Sequence, residues 1–398
     1  MPVCCLCQTD AAAVRLDLGP QPISNRYLAA TNAEEALFPL VLAQCEACGL
    51  IRLSQAPPAE EVRPRHPWIS YSEPESHLDE LARVIAHLPG LTSAARVWGV
   101  SSKDDSLLRR LERLGYRETY RLDAARDLDI QEPAAGMETI QARLDGPRAQ
   151  AIRAVHGPAD VIIARHIVEH AHDLRGFVAA LLALLRPAGF LVLEVPDCHT
   201  GFTLGDCTVI WEEHRAYFTP ATFPLLFGFS GLQLADFRVF PNGPERLLVA
   251  IGRALPDPDA RAVPASASQE HGLLREFGRR LDERRRHAVG LLAEYGDRRR
   301  RVAVLGAGHM ACVFLSLLGL RHGISLVVDN DPHKQGLLMP GSHLPIREPE
   351  ALLREEIDLC LLSVNPEAEE RVVEGHRAFL ERGGEFASIF AASDRSWL

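Results

Sequence analysis

The sequence predicts an α/β protein in which a small N-terminal module, bearing two C-x-x-C pairs, precedes two Rossmann-like domains. Strands alternate with helices in two successive stretches, a pattern typical of doubly wound parallel sheets. The length of 398 residues is enough for two or three domains with substantial cores. We therefore divide the chain into a module over 1–62, a connecting helical segment over 63–95, a central domain over 96–254, a linker and amphipathic helix over 255–300, and a C-terminal domain over 301–398.

The N-terminal module carries four cysteines in two pairs of equal spacing. Cys4 and Cys7 form the first pair and Cys45 and Cys48 the second, while Cys5 lies outside the pattern. Each C-x-x-C turn can present two thiolates to one side of a tetrahedral Zn²⁺, and two turns complete a structural site. The alternative is two accidental pairs of buried cysteines. The shared spacing favours zinc, and a module of this size needs such a staple to fold.

Composition restricts the class of protein. Hydrophobic residues make up 47% of the chain and charged residues 24%, as in ordinary globular proteins. The formal net charge of −10 argues against a nucleic-acid partner, and the arginines from Arg298 to Arg301 are interpreted as a solvated face. The longest apolar runs, such as Phe177 to Leu185, are too short for a membrane span. We expect a cytoplasmic protein with reduced thiols and no membrane partner.

The central domain reads as strands joined through helices. Its predicted elements are a helix over 76–88, a strand over 96–100, a helix over 106–114, strands over 120–122 and 160–164, a helix over 174–185 and a strand over 190–195. Gly115 and the turn from Arg186 to Gly189 end the last two helices, and Asp123 follows the second strand. This order predicts a parallel sheet that binds its ligand at the carboxyl ends of the strands.

The C-terminal domain repeats this order. A linker rich in Pro, Ala, Asp and Ser over 255–268 and a charged amphipathic helix over 270–295 precede it. A strand over 302–305 then enters Gly306-Ala-Gly308-His-Met-Ala311, a G-x-G-x-x-A turn, and the next strand ends at Asp329. Such a turn admits a phosphate at a helix N-terminus, and the acid could bind ribose hydroxyls, which would indicate NAD. The alternative is a turn that only packs a helix tightly on a sheet.

Candidate catalytic residues follow the strand over 160–164. His166, Glu169 and His170 lie where an open α/β sheet binds ligands. His166-Ile-Val-Glu169-His170 also matches the H-x-x-E-H pattern of inverted zincins. That motif requires a long helix and a third ligand, so the preceding strand argues against a metalloprotease. A structural histidine pair is a further alternative.

A second candidate segment, Trp211 to Phe218, combines carboxylates, an imidazole and aromatic rings. Glu213 and His214 are neighbours in it, and Tyr217 follows shortly after. An imidazole oriented by a carboxylate is suited to act as a general base near neutral pH. The alternative is a solvated polar loop.

Several separated motifs occur in one order along the chain. They are the two cysteine pairs, Leu18–Pro22 with Asn25, Ala164–His170, the Glu194-Val-Pro196 strand end, Glu213–Phe218, Val328–Pro332, Lys334-Gln-Gly336 and Pro340–Pro345. In this order they resemble the three-domain C-methyltransferases that use S-adenosylmethionine (SAM) and modify nucleotide-linked deoxysugars. The resemblance spans nearly the whole chain. It implies a class I methyltransferase fold for the central domain and a structural rather than catalytic zinc.

The resemblance also implies roles for single residues. By their match to the family's motifs, His170 and the pair Glu213 and His214 would move a proton beside a ketone, and the carbanion would attack the methyl group of SAM. Tyr71 corresponds to a tyrosine that precedes a serine-rich segment in the family, although the residues that follow depart from that pattern. A sugar nucleotide would lie between the central and C-terminal lobes. Its expected contacts are Tyr217, Gly306, Gly308 and Lys334.

The expected cofactor site departs from the family at its first loop. The acid-hydrophobic-Gly-x-x-x-Gly turn is replaced by Gly99-Val-Ser-Ser-Lys-Asp-Asp105, which brings Lys103 towards a cationic sulfonium. Asp123 remains suitably placed for ribose hydroxyls. The residues that the resemblance assigns to SAM are Gly99, Ser101, Ser102, Asp123 and His166.

Two other functions stay open at this point. A methyltransferase-fold protein without SAM turnover could be a binding or scaffold subunit, which the altered first loop favours. An oxidoreductase could hold a nicotinamide cofactor on Gly306, Gly308, Ala311 and Asp329. The sequence defines neither the acceptor atom nor the oligomeric state.

Overall fold

Three β-sheets organise the chain in the computed structural model, which describes residues 3–10, 13–66, 68–69, 75–132, 136–242, 245–255 and 270–398. The strands are β1 (Ala13–Pro22), β2 (Leu37–Cys45), β3 (Ile51–Gln55), β4 (Arg96–Gly99), β5 (Glu118–Arg121), β6 (Ala159–Arg165), β7 (Leu185–Pro196), β8 (Ala216–Tyr217), β9 (Leu232–Asn242), β10 (Glu245–Ala254), β11 (Val302–Leu305), β12 (Leu326–Val328), β13 (Ile346–Arg347), β14 (Leu359–Leu362) and β15 (Glu385–Ser388).

The α-helices lie between and after these strands. They are α1 (Ala59–Val62), α2 (Leu78–Ala86), α3 (Asp105–Arg113), α4 (Met137–Arg143), α5 (Gly146–His156), α6 (Leu174–Leu184), α7 (His199–Leu204), α8 (Phe223–Phe229), α9 (Leu273–Asp297), α10 (His309–Leu318), α11 (Ala351–Arg354), α12 (Pro366–Gly375) and α13 (Arg377–Glu381). Short 3₁₀ turns occur at Ser102–Asp104, Val168–His170 and Cys207–Val209.

The N-terminal sheet is antiparallel and has the strand order β1-β2-β3-β8. Its fourth strand comes from the central part of the chain, since Ile51 pairs with Tyr217 and Arg52 with Ala216. The apolar stretch Phe38–Leu42 of the sequence lies within β2. The zinc-binding module therefore shares its sheet with the segment that carries Glu213 and His214.

The central sheet has the order β5-β4-β6-β7-β10-β9. The first four strands are parallel, as predicted, but β10 runs antiparallel to both β7 and β9. The sequence pattern predicted no strands at this antiparallel edge. The chain leaves β4 on one side to form β5 and returns on the other side to form β6, which creates a crevice at the carboxyl ends of these strands.

The C-terminal sheet is parallel in all five strands, with the order β13-β12-β11-β14-β15. The glycine turn lies between β11 and α10, as predicted. The predicted charged helix over 270–295 is α9, and its buried side chains Leu274, Phe277 and Leu281 join a core shared with the N-terminal sheet. The units are thus packed against one another through apolar surface.

No helix in the described ranges combines the length and the apolar composition that crossing a bilayer requires.

A pair of glycine substitutions tests the packing of the central sheet. A Cβ on Gly252 of β10 would lie 2.4 Å from Cδ1 of Phe227, whereas a Cβ on Gly290 of α9 meets nothing within 4 Å. We expect Gly252→Ala to lower the free energy of unfolding by about 1–3 kcal/mol through overpacking. Gly290→Ala is expected to raise it by about 0.5–1 kcal/mol because alanine is the better helix residue. Urea unfolding midpoints measure both effects, and equal shifts of one sign would contradict this packing.

Candidate functional site

Four cysteine sulfurs converge at one end of the N-terminal sheet. Cys4 and Cys7 precede β1, Cys45 ends β2, and Cys48 lies in the turn before β3. The Sγ atoms of Cys4 and Cys48, and those of Cys7 and Cys45, are 3.7 Å apart, and all four lie within 4.8 Å of one another. Zn–S bonds of about 2.3 Å in a tetrahedron place sulfurs roughly 3.8 Å apart. The four thiols therefore fit a structural Zn²⁺.

The residues assigned to SAM lie at the carboxyl ends of three neighbouring strands. Gly99 ends β4, Asp123 follows β5 and is exposed, and His166 follows β6. Ser102 is exposed in the loop after β4, whereas Ser101 is buried and caps the 3₁₀ turn that follows. The structure thus brings the five residues to one edge of the sheet.

The altered first loop is closed by its own carboxylate. Oδ2 of the buried Asp104 accepts the backbone N–H groups of Val100 and Ser101 at 2.8 and 2.9 Å, and Oδ1 accepts that of Arg165 at 3.0 Å. A Cβ on Gly99 would lie 2.7 Å from Cβ of Asp104. The glycine is therefore needed for the approach of Asp104, and its part in cofactor binding stays a prediction.

A buried ionic network supports this edge from beneath. Glu194 of β7 contacts Nη2 of Arg165 at 2.8 Å, Nε2 of His166 at 2.9 Å and Nε2 of His77 at 2.8 Å. Burial opposes ionisation of Glu194, but Arg165 and the two imidazoles outweigh it and hold its pKa well below the ordinary value. His166 has a left-handed backbone, with φ of 49°, and this network fixes its ring.

His170 lies in the 3₁₀ turn after His166 and is held by a carboxylate that the sequence did not reveal. Nδ1 of His170 is 2.6 Å from Oε1 of the buried Glu138, which lies in α4. The ring of His170 meets that of His214 edge to face, with centroids 4.7 Å apart. An imidazole held at one nitrogen by a carboxylate has a fixed orientation, as a proton-transferring group requires.

Glu213 and His214 lie beside this pair, as predicted. Glu138, His170 and Glu213 have side-chain oxygen or nitrogen atoms within 4.8 Å of one another, and the same holds for Glu169, His170 and His214. Asn25 of the N-terminal module donates from Nδ2 to Oε1 of Glu213 at 3.4 Å. The site is therefore built from the N-terminal module and the central domain together.

Burial shifts the pKa values of Glu213 and His214 in opposite directions. Burial, with the nearby carboxylates Glu138 and Glu212, raises the pKa of Glu213 well above its ordinary value. Burial and the adjacent His170 hold the pKa of His214 well below its ordinary value. Burial also opposes ionisation of Glu138, but His170 outweighs it and lowers that pKa. These opposite directions favour the protonated form of Glu213 and the neutral form of His214.

Tyr217 has contacts that the sequence did not predict. It is fully buried, and its hydroxyl donates to the carbonyl of Trp211 at 2.8 Å and accepts that residue's N–H at 3.2 Å. Its assignment to substrate stays a prediction. The assignment of Tyr71 as a catalytic residue also stays a prediction, and Tyr71 lies outside the described residues.

The C-terminal glycine turn is tied to Asp329. This carboxylate accepts the N–H of Ala307 at 2.7 Å through Oδ2, accepts the N–H of Asp331 at 2.8 Å through Oδ1, and pairs with Nζ of Lys334 at 3.1 Å. Asp329 is therefore already engaged where a nicotinamide dinucleotide would place its ribose, which disfavours the oxidoreductase alternative. Gly308 remains open, since a Cβ there meets nothing within 4 Å.

Sequence reasoning missed several members of the site. Glu138 lies in a helix that no periodic pattern marked, and the contacts of Asn25, Glu212 and His309 depend on the packing of separate units. The H-x-x-E-H match was the available signal for Glu169. Neighbouring residues of that motif do contribute to one cluster, although on a 3₁₀ turn rather than a long helix.

Three family models match successive parts of the chain. Residues 4–62 match a zinc binding domain, residues 77–236 a methyltransferase domain, and residues 264–390 a C-methyltransferase C-terminal domain. The chain has the three-domain arrangement of a SAM-dependent C-methyltransferase. The C-methyltransferase NovU of Streptomyces niveus is 26% identical over 396 residues, covering 96% of this chain and 94% of NovU.

Solved structures similar to this C-methyltransferase match it over less than half of its length. One is the 1,6-didemethyltoxoflavin-N1-methyltransferase of Burkholderia thailandensis with bound S-adenosylhomocysteine, at 14% identity and a TM-score of 0.30, covering 46% of this chain and 79% of that one. Another is magnesium protoporphyrin IX methyltransferase of Synechocystis PCC 6803, at 13% identity and a TM-score of 0.31, covering 46% and 90%.

The cofactors of this C-methyltransferase are SAM and zinc. The donor set at the sheet edge fits SAM in one respect, because Asp123 presents an exposed carboxylate beside the end of β4, as ribose hydroxyls require.

The zinc assignment is tested by a pair of neighbouring cysteines. We expect Cys7→Ser to lose the bound zinc, because one thiolate of four is removed, whereas Cys5→Ser should keep one zinc per chain. Native mass spectrometry of both purified variants gives the metal count. Zinc retained in full by Cys7→Ser, or lost from Cys5→Ser, would contradict the assignment.

Proposed function

We propose that this C-methyltransferase methylates a carbon beside a ketone of a small activated substrate, a nucleotide-linked keto-deoxysugar. The observation that carries the proposal is the buried meeting of neutral His214, protonated Glu213 and the His170–Glu138 pair at the carboxyl edge of the central sheet. Two groups with opposite shifts of pKa, set side by side, are suited to remove one proton and stabilise the charge that develops.

His214 acts as the base in this proposal. Its neutral ring takes the proton from the carbon beside the ketone, and the electron pair of the broken C–H bond moves into an enolate. Glu213, which keeps its proton at neutral pH, donates a hydrogen bond to the enolate oxygen. His170, oriented by Glu138, lies at the edge of His214 and keeps that ring in place.

SAM supplies the electrophilic methyl group and leaves as S-adenosylhomocysteine. The protein's own contribution is to hold the cofactor at the ends of β4, β5 and β6 with Gly99, Ser101, Ser102, Asp123 and His166. The base lies in the segments that follow β6 and precede β8. Burial of His170, Glu213 and His214 excludes water, which would otherwise compete for the proton.

The C-terminal domain supports the substrate class, and the likeness to NovU, whose name describes a C-methyltransferase, supports methylation at carbon. The open Gly308 at the start of α10 leaves room for a diphosphate, with Gly306 and Lys334 nearby. Tyr217 is retained as a candidate contact for the substrate and Tyr71 as a candidate catalytic residue. We infer a cytoplasmic enzyme, since reducing conditions preserve the four zinc thiolates.

Replacement of His214 tests the assignment of the base. We expect His214→Ala to lower the rate of methyl transfer by about 10²–10⁴-fold, because the imidazole that accepts the proton is removed. With SAM omitted, mass spectrometry can follow the incorporation of solvent deuterium into a nucleotide-linked keto-deoxysugar. The rate of this incorporation should fall by the same factor. The matched control is His376→Ala, since the ring of His376 bonds to the carbonyl of Val372 and packs against Phe386, both within the C-terminal domain.

A binding measurement separates the enzyme from the scaffold alternative. Calorimetry with S-adenosylhomocysteine is expected to show binding to wild type and to His214→Ala alike. Absence of binding to wild type would support the scaffold alternative, and full turnover by a folded His214→Ala would remove the proposed base.

The dependence of the rate on pH tests the roles of His214 and Glu213. Activity should extend below the ordinary titration range of histidine, because the pKa of His214 is lowered and the ring stays neutral there. It should fall as the pH rises through the raised pKa of Glu213, because the donor to the enolate is lost. Glu213→Gln keeps a donor that does not ionise, so we expect its profile to lack the alkaline fall. A persistent fall in that variant would assign it to another group.

A further inference from the structure

The segment before His214 is held by residues from all three units of the chain. Ser24 of the N-terminal module donates to Oε1 of Glu212 from both its backbone N–H and its hydroxyl, each at 2.7 Å. His309, the first residue of α10 in the C-terminal domain, has Nδ1 at 2.7 Å from Oγ of Ser24 and 3.3 Å from Oε2 of Glu212. These three side chains are buried, and we call them the Ser24–Glu212–His309 clamp.

The hydrogen bonds of this clamp require a shared proton. Nε2 of His309 faces the carbonyl of Ile210 at 3.0 Å, so that nitrogen carries a hydrogen. The hydroxyl of Ser24 has one hydrogen but meets two acceptor positions at 2.7 Å. With an ionised Glu212 and a neutral His309, one of these contacts would contain no hydrogen. One further proton, on Nδ1 or on the carboxyl group, satisfies every contact.

The clamp continues as a stack of rings that ends at His214. The rings of His309 and Trp211 are nearly parallel, with centroids 3.6 Å apart and planes 10° apart. The ring of Trp211 also stacks on that of His214, at 5.4 Å with planes 12° apart. Tyr217 holds both backbone polar groups of Trp211, and the ring of Trp211 contacts those of His309 and His214.

We propose that His309 is a positioning residue that orients His214 through Trp211 and thereby makes the base site depend on the C-terminal domain. The proposal rests on the proposed function only in calling His214 the base. His309 follows directly after Gly308, so a change at the glycine turn is carried to His214 by two stacked contacts. The device gives the C-terminal domain a part in the chemistry without contributing a reacting group.

The environment of His214 determines what removal of His309 should do. The titratable and charged groups that face this ring from the packed elements are His166, Glu169, His170, Glu213, Tyr217 and His309. Burial is the largest cause of the lowered pKa of His214, His170 is the next, and His309 adds to it. Loss of His309 should therefore raise that pKa towards its ordinary value.

Nuclear magnetic resonance of the zinc-loaded full chain, labelled with ¹⁵N in histidine, tests the proposal without any substrate. The signals of His214 are assigned by their loss in His214→Gln. We expect His309→Ala to shift the ring-nitrogen resonances of His214 and to move its titration to higher pH. His309→Gln, which keeps a donor for Ile210 and an acceptor for Ser24 and is flat, should restore most of the wild-type signals. His376→Ala is the matched control and should leave them unchanged.

Folding is checked by zinc content and near-ultraviolet circular dichroism. If His309→Ala does not fold, Ser24→Ala removes one arm of the clamp with little change in volume, and a smaller shift of the same sign is expected. Unchanged His214 resonances in folded His309→Ala, or an equal shift in His376→Ala, would overturn the proposal. Because no turnover is measured, this result is independent of whether His214 is the base.

Discussion

The segment from Ile210 to Tyr217 is the part of the chain on which the site depends. Its last two residues form β8 and complete the N-terminal sheet, its middle residues reach the central cluster, and its start contacts α10 of the C-terminal domain. A short loop rarely fixes an imidazole by itself, because ordering a loop costs conformational entropy. Here the N-terminal module, the central domain and the C-terminal domain all supply contacts that offset this cost.

Buried charge is the second constraint on this site. Removing carboxylates and imidazoles from water is costly unless each meets a partner, and breaking one such buried pair typically costs about 3–5 kcal/mol. Glu194 meets one guanidinium and two imidazoles, whereas Glu213 meets mainly other carboxylates. The first arrangement favours a charged, rigid support. The second favours a neutral acid. The surroundings of Glu194 and Glu213 therefore shift the pKa values of these two carboxyl groups in opposite directions.

Much of this architecture was predictable, and the exceptions have physical reasons. Equal cysteine spacing and strand–turn–helix punctuation are local signals, so the zinc site, the glycine turn and α9 were found. The edge strands β9 and β10 were not predicted, although the Asn242-Gly243 pair at the end of β9 is a hairpin signal, so their antiparallel pairing was missed. Glu138 and His309 join the site only through tertiary packing, which sequence periodicity does not encode. The predictable residues were those next to strand ends, where topology restricts position.

The two-residue strand β8 has a consequence for how the molecule is made. During synthesis β1, β2 and β3 emerge early, but their sheet stays incomplete until Ala216 and Tyr217 have left the ribosome. Bound zinc can therefore stabilise the N-terminal module early, while β3 is still an unpaired edge strand and more than a hundred later residues are being added. An excised N-terminal fragment would retain that open edge and be prone to self-association, so truncation is a poor route to isolating its metal chemistry.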